Sequence, residues 1–251
     1  MKWISMPRFL LRKNMVGQII KHENLKGKKC LEIGYGSGEM LRYFSKKGAI
    51  MYGYDFSDEA FLMATERTKD LKNIYLLKSL NELNSIKFDY IFSFEVLEHI
   101  KDDTATIIYW TQILNNDGKI LLSVPSKSVK FNKLDQYVGH YRKYNSQDIK
   151  QIFENNNMKI IILWHYGFPF SNIVEKIRAY SIRNKDFSSV EKEELSKVSF
   201  KSYASFVLPL FSNDIFLFPL YVIQRLFKNF SWGSGILCLC EKNKGNLTSK
   251  L

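Results

Sequence analysis

Three glycines, two carboxylates and an imidazole stand at spacings that can do chemistry. In Leu31-Glu32-Ile33-Gly34-Tyr35-Gly36-Ser37-Gly38, glycines at 34, 36 and 38 let the backbone turn sharply and approach a ligand where a Cβ would collide. A helix opening behind such a turn offers free N–H groups to an anion. Asp55 lies 21 residues after Gly34, where a carboxylate can accept hydrogen bonds from both hydroxyls of a ribose. The dinucleotide fingerprint G-x-G-x-x-G competes for this segment. Its third glycine would fall on Glu39, and a pyrophosphate would then face both Glu32 and Glu39. That weakens the competitor without removing it, because a ribose carboxylate serves either kind of nucleotide.

Two further clusters follow. Glu95-x-x-Glu98-His99 supplies two carboxylates and an imidazole, which can bind a divalent metal or simply cap a helix junction. The sequence assigns no metal site. Asp135-Gln-Tyr-Val-Gly139-His140-Tyr141-Arg142-Lys143-Tyr144 offers His140 as a general base near neutral pH. Arg142 beside it can pair with an anionic group of an acceptor, with Tyr141 between the two. The alternative is that these side chains lock the loop onto the core. His22 and His165 lack such company and read as surface or core residues.

These residues need elements to hold them. Apolar strand-like runs occur at 29–34, 49–54, 74–77, 88–94, 119–124 and 158–164, with a last one at 236–241. Helix-like stretches at 38–47, 57–70, 103–115 and 146–155 fall between them, so parallel βαβ units with right-handed crossovers are expected. Ser57 with Asp58 and Glu59 opens one helix, and Ser146 with Asp148 opens another. Asp117-Gly118 marks the step from a helix into the next strand. The chain divides into a basic amphipathic helix within 1–28, a core over 29–164, a helical and apolar cap over 165–232, and a last strand and tail over 233–251, all one domain.

The 251 residues are 45% hydrophobic and 25% charged, which excludes a disordered chain. The net charge of +12 is concentrated at the start, where eight cations in residues 1–29 face Glu23 alone. Such a segment favours an anionic partner. Pro7, Arg8, Arg12 and Lys13 interrupt any apolar signal segment, which points to the cytoplasm. Cys30, Cys238 and Cys240 read as reduced core residues. In 205–224 the only charge is Asp214, but Pro209, Pro219 and Ser212-Asn213-Asp214 split the run. It is therefore expected to be a cap, a dimer contact or a peripheral contact with the inner face of a membrane.

The glycine segment, Asp55, Phe88-Asp89-Tyr-Ile-Phe-Ser-Phe94-Glu95-Val-Leu-Glu98-His99 and Leu114-Asn-Asn-Asp-Gly118-Lys-Ile-Leu-Leu-Ser-Val124-Pro125 appear in this order. Together they resemble class I S-adenosylmethionine-dependent methyltransferases, notably the small-molecule branch that includes ubiquinone-biosynthesis O-methyltransferases. The resemblance covers roughly residues 25–165 and the last strand. It implies an α/β, Rossmann-like doubly wound fold, with a mostly parallel seven-stranded sheet and an antiparallel last strand. It also implies methyl transfer from S-adenosylmethionine to a small-molecule acceptor, a hydroxyl by this branch, with no nucleic acid. An amphiphilic lipid-linked or quinone-like acceptor, or a cofactor-binding regulator without turnover, are the alternatives.

The resemblance assigns roles residue by residue. Glu32 would face the cofactor amino group, and Gly34, Gly36 and Gly38 would wrap its methionine moiety. Asp55 would hold the ribose, and Phe56, Ser79 and Leu80 would flank the adenine, although many relatives carry an acidic residue near 79. Phe94 and Glu95 would lie beside the sulfonium, and Arg12 would meet the cofactor carboxylate. His140, with His99 as the alternative, would be the base, and Tyr141 and Arg142 would contact acceptor. In some quinone O-methyltransferases a cluster similar to Glu95-x-x-Glu98-His99 is a divalent-metal site.

Overall fold

Each apolar run becomes a strand of one sheet in the computed structural model, which describes residues 7–83, 86–182 and 214–243. The strands are β1 (Lys29–Ile33), β2 (Ile50–Tyr54), β3 (Ile74–Leu77), β4 (Phe88–Phe94), β5 (Leu114–Pro125), β6 (Met158–Tyr166) and β7 (Gly235–Lys242). Their order is β3-β2-β1-β4-β5-β7-β6. β1 to β5 run parallel, and β7 enters antiparallel between β5 and β6.

Strand alternation sorts side chains onto two covered faces. Cys30, Tyr90, Phe92, Phe94, Leu121 and Leu239 pack toward α1 (Pro7–Ile20) and α2 (Glu39–Ser45). Leu31, Ile33, Ile91, Leu122, Cys238 and Cys240 pack toward α4 (Asp103–Ile113) and α6 (Ser146–Glu154). α1 buries Leu11, Met15, Val16, Ile19 and Ile20, a helical stripe as its sequence requires. Glu32 shares its face with Cys30, so alternation turns this carboxylate toward α1. The three cysteines are free and buried.

Several boundaries differ from expectation. β5 begins at Leu114, directly after α4, so Asp117-Gly118 lies inside the strand where its register with β4 shifts. α3 (Asp58–Thr68) is capped by Ser57 as expected, whose hydroxyl accepts from Ala60 N–H. At α6 the cap is Asn145, in a reciprocal pair with Asp148, while the Ser146 hydroxyl bonds His165. Pro219 does not split its run. It lies inside α8 (Asp214–Leu226), where a missing N–H forfeits one helical bond. α7 (Phe170–Ile182) begins the expected helical stretch, while 183–213, including 205–213 of the apolar run, lie outside the described residues. Among the described residues no helix is long and apolar enough to cross a membrane.

Two short 3₁₀ turns, Leu80–Leu83 and Leu97–His99, and the helix α5 (Lys133–Tyr137) were not apparent in the sequence pattern. Each stands beyond the carboxyl end of a strand, the side on which open α/β sheets hold ligands.

Candidate active site

The glycine loop closes the carboxyl end of β1. Gly34, Gly36 and Gly38 all take positive φ, at 73°, 51° and 73°. At Gly34 the need is twofold, because a Cβ there would also overlap Val96 Cγ2. Gly34→Ala is therefore expected to lose about 2–4 kcal/mol from left-handed strain plus overpacking. Urea unfolding measures this, and a loss below about 1 kcal/mol would show that the loop can relax around a side chain. Around Gly36, by contrast, nothing lies within 4 Å of a Cβ position, leaving open space against the backbone.

Asp55 follows β2 and braces this loop. Its carboxylate accepts from Gly36 N–H (2.8 Å) and Ser57 N–H (3.0 Å), with lone pairs to spare for ribose hydroxyls. Phe56 next to it is 91% exposed, a ring free to stack on a base. Ser79 and Leu80 open the first 3₁₀ turn, where Glu82 accepts from the N–H groups of Lys78 and Ser79.

Glu32 is buried, and its Oε2 has no hydrogen-bond partner. Burial raises its carboxyl well above the usual range against the pull of Arg12, and Asp55 adds to the rise. Arg12 comes from α1 and sits over the Phe94 ring, 3.9 Å from Glu95. An unpartnered carboxylate oxygen suits an ammonium group, and a guanidinium beside it suits a carboxylate. Glu32 and Arg12 therefore fit the two ends of an amino acid moiety.

Glu95 takes φ 59°, an uncommon backbone for a non-glycine residue. There its carboxylate accepts from Tyr166 Oη (2.7 Å), Ser123 Oγ (2.9 Å) and Arg8 Nη2 (2.8 Å). Burial pushes this carboxyl up, but Arg8 and Arg12, with the bonds from Tyr166 and Ser123, outweigh it and hold it below its ordinary value. Arg8 also reaches Glu175 on α7 at 2.5 Å. Arg8 and Tyr166 carried no signal in the sequence, because only the sheet order brings α1 and β6 to Glu95.

The second centre is Glu98, His99 and His140, whose ligand atoms lie within 4.8 Å of one another. Glu98 is fully buried, with neither carboxylate oxygen hydrogen-bonded. Burial first, and the charge of Glu95 second, push its carboxyl well up. The His99 and His140 rings meet edge to face at 4.7 Å, and burial, then His140, lower the His99 imidazole. His140 Nδ1 lies 3.3 Å from Asp135 Oδ1, and Nε2 lies 3.9 Å from Glu98 Oε1. Asp135 is itself fixed by Lys143 (2.9 Å) and Asn132 N–H. One carboxylate and two imidazoles form a donor set suited to a divalent transition metal. His140 replaces Glu95 in this set, since Glu95 is committed to Arg8, Ser123 and Tyr166.

Tyr141 and Arg142 follow His140 on the same loop. Tyr141 is exposed, with its N–H on Glu98 C=O. Arg142 pairs with Asp103 at 2.6 Å and donates to Lys101 C=O, tying the loop to α4. A cavity of about 440 Å³ opens between α4 and α6, lined by Asp103, Lys127, Phe131, Arg142, Lys143, Tyr144, Asp148 and Ile152. Its cations are already balanced, Lys127 by Asp148, Arg142 by Asp103 and Lys143 by Asp135, so no free positive charge is left for an anion.

Residues 11–163 match the family model described as a methyltransferase domain. The chain belongs to that family. It carries a class I methyltransferase domain, of a family that uses S-adenosylmethionine, which argues against the dinucleotide alternative. A ubiquinone biosynthesis O-methyltransferase of Haemophilus ducreyi is 29% identical over 119 residues, 44% of this chain and 50% of that protein. The chain thus spans about half the length of the first curated relatives it matches. One from Coxiella burnetii (Dugway) is 25% identical over 70% of this chain and 83% of its own. Among solved structures, phosphoethanolamine N-methyltransferase 2 of Haemonchus contortus, in complex with S-adenosyl-L-methionine, aligns with a TM-score of 0.58. It is 18% identical, over 92% of this chain and 52% of that one. Magnesium protoporphyrin IX methyltransferase of Synechocystis gives 0.51 at 21% identity, over 63% and 76%. These two likenesses speak for the fold.

Proposed function

We propose that this methyltransferase transfers its methyl group to a hydroxyl of a small-molecule acceptor, with a phenol of the quinone-precursor kind as the favoured class. The observation that carries the reading is an imidazole next to a buried, fixed carboxylate, His140 against Asp135, just beyond the carboxyl end of β4. A neutral hydroxyl must lose its proton as it attacks, and an oriented imidazole is the usual group to take it. The names of the sequence relatives point the same way.

S-adenosylmethionine supplies an electrophilic methyl on a positively charged sulfur. The protein's part is to bind, align and exclude water. Glu32 and Arg12 would hold the two charged ends of the methionine moiety, the glycine loop would approach it closely, and Asp55 would fix the ribose. Alignment of this kind supplies several kcal/mol of the barrier. Asp135 would keep the Nδ1 proton of His140 in place, leaving Nε2 to accept. A second reading rests on the two unpartnered oxygens of Glu98. A divalent cation held by Glu98, His99 and His140 would assist as a Lewis acid on the acceptor oxygen.

Purified protein with S-adenosylmethionine and a panel of phenols and catechols tests the proposal by S-adenosylhomocysteine release and product mass. Acceptor-dependent release with the methyl on oxygen is expected. Turnover confined to amine or thiol acceptors, or cofactor binding without any turnover, overturns it.

A further inference from the structure

α8 presents two unlike faces. Leu217, Tyr221 and Gln224 are buried; Leu217 and Tyr221 pack against Leu11 of α1. Phe218, Val222 and Leu226 follow at four-residue steps on the opposite face, and Phe218 and Leu226 are 62% and 69% exposed. A helix face turned to water is ordinarily polar. Beyond the helix, Phe230 and Trp232 stack at 5.0 Å and are each about half exposed, backed by Phe227 and Phe168. Asn172 of α7 bonds Trp232 C=O, which sets Ile173, also exposed, beside this group. The charged residues of 214–232 are Asp214, which opens α8, and Arg225 and Lys228; Arg225 donates to Asn14 Oδ1, and the Lys228 ammonium lies over the Trp164 ring at 3.8 Å.

We propose that this face, Phe218, Val222, Leu226, Phe230 and Trp232 with Lys228, docks on an anionic lipid surface. The charge pattern selects the partner. A protein interface typically carries both signs on its rim, whereas here the apolar side chains stand with two cations against one acid, Asp214 at the far end of the helix, on a chain of net charge +12. Half-exposed aromatic rings beside a lysine suit the boundary between headgroups and acyl chains. The face also backs onto the active site. Gln224 accepts from Gly167 N–H and donates to Leu11 C=O, and Tyr166, next to Gly167, reaches Glu95. Docking would therefore bring the Glu95 side of the site toward the lipid. The proposal stands whichever acceptor is methylated.

Co-sedimentation of the full chain with vesicles tests it directly, comparing phosphatidylcholine alone with phosphatidylcholine containing phosphatidylglycerol. Binding to the anionic vesicles is expected, weakened at roughly 0.5 M salt by screening. The triple variant Phe218→Ser, Leu226→Ser, Trp232→Ser should lose roughly tenfold or more of that binding, as removal of buried apolar area requires. Lys228→Glu keeps the apolar face and should lose mainly the salt-sensitive part. These side chains are exposed, so thermal unfolding should hardly change. The proposal is overturned if the wild-type chain stays in the supernatant with both vesicles, or if the triple variant binds as well as wild type. It is also overturned if sedimentation velocity shows a dimer that the same substitutions dissociate.

Discussion

Replacing His140 with glutamine is expected to slow methyl transfer by roughly 10²–10⁴-fold, the usual worth of a general base, with cofactor affinity nearly unchanged. The proposed cofactor residues lie on α1 and at the carboxyl ends of β1 to β4, whereas His140 stands on the loop after α5. The structure supplies an orienting partner, because Asp135 Oδ1 is 3.3 Å from Nδ1. Glutamine can turn an amide N–H toward that carboxylate but cannot take up a proton. A structural histidine would be partly rescued by it and a base would not. Steady-state rates with an identified acceptor, beside calorimetric titration with S-adenosylmethionine, separate the two. A near wild-type rate would leave His140 a packing partner of His99 and shift the proton to His99 or to alignment alone.

Asp55→Ala is expected to weaken S-adenosylmethionine binding roughly ten- to a hundredfold, since charge-assisted hydrogen bonds are worth about 1.5–3 kcal/mol. Two losses act together. The ribose hydroxyls lose their acceptor, and Gly36 N–H loses the 2.8 Å bond that braces the glycine loop. Asp55→Asn keeps an acceptor oxygen without the charge and should fall between. Calorimetry with circular dichroism as the fold control measures both. Unchanged affinity in an intact alanine variant would remove Asp55 from the ribose role.

The strands were legible because parallel strands covered on both faces read as short, mostly apolar runs, such as 88–94 and 119–124. The glycine loop was legible because its positive φ angles demand glycine. Glu95 shows the limit. Its position after β4 could be read, but its partners lie 87, 71 and 28 residues away on α1, β6 and β5. No local pattern reports such meetings. Arg142 shows a second limit, since an arginine in a loop looks alike whether it awaits a ligand or, as here, pairs with Asp103. At 145–146 two capping residues stand together, and only geometry decides that Asn145 caps while Ser146 turns to His165.

The place of β7 sets the order in which the sheet can be completed. β5 and β6 are separated in space by a strand that the ribosome makes after both of them. Until 235–242 emerge, each presents a bare edge of unpaired N–H and C=O groups, flanked by apolar side chains such as Leu121 and Leu163. Open edges of this kind recruit other chains. A nascent chain stalled before residue 235 would carry two such edges at once. The eight residues of β7 close both in a single insertion, which makes the sheet's integrity wait on the synthesis of that one strand.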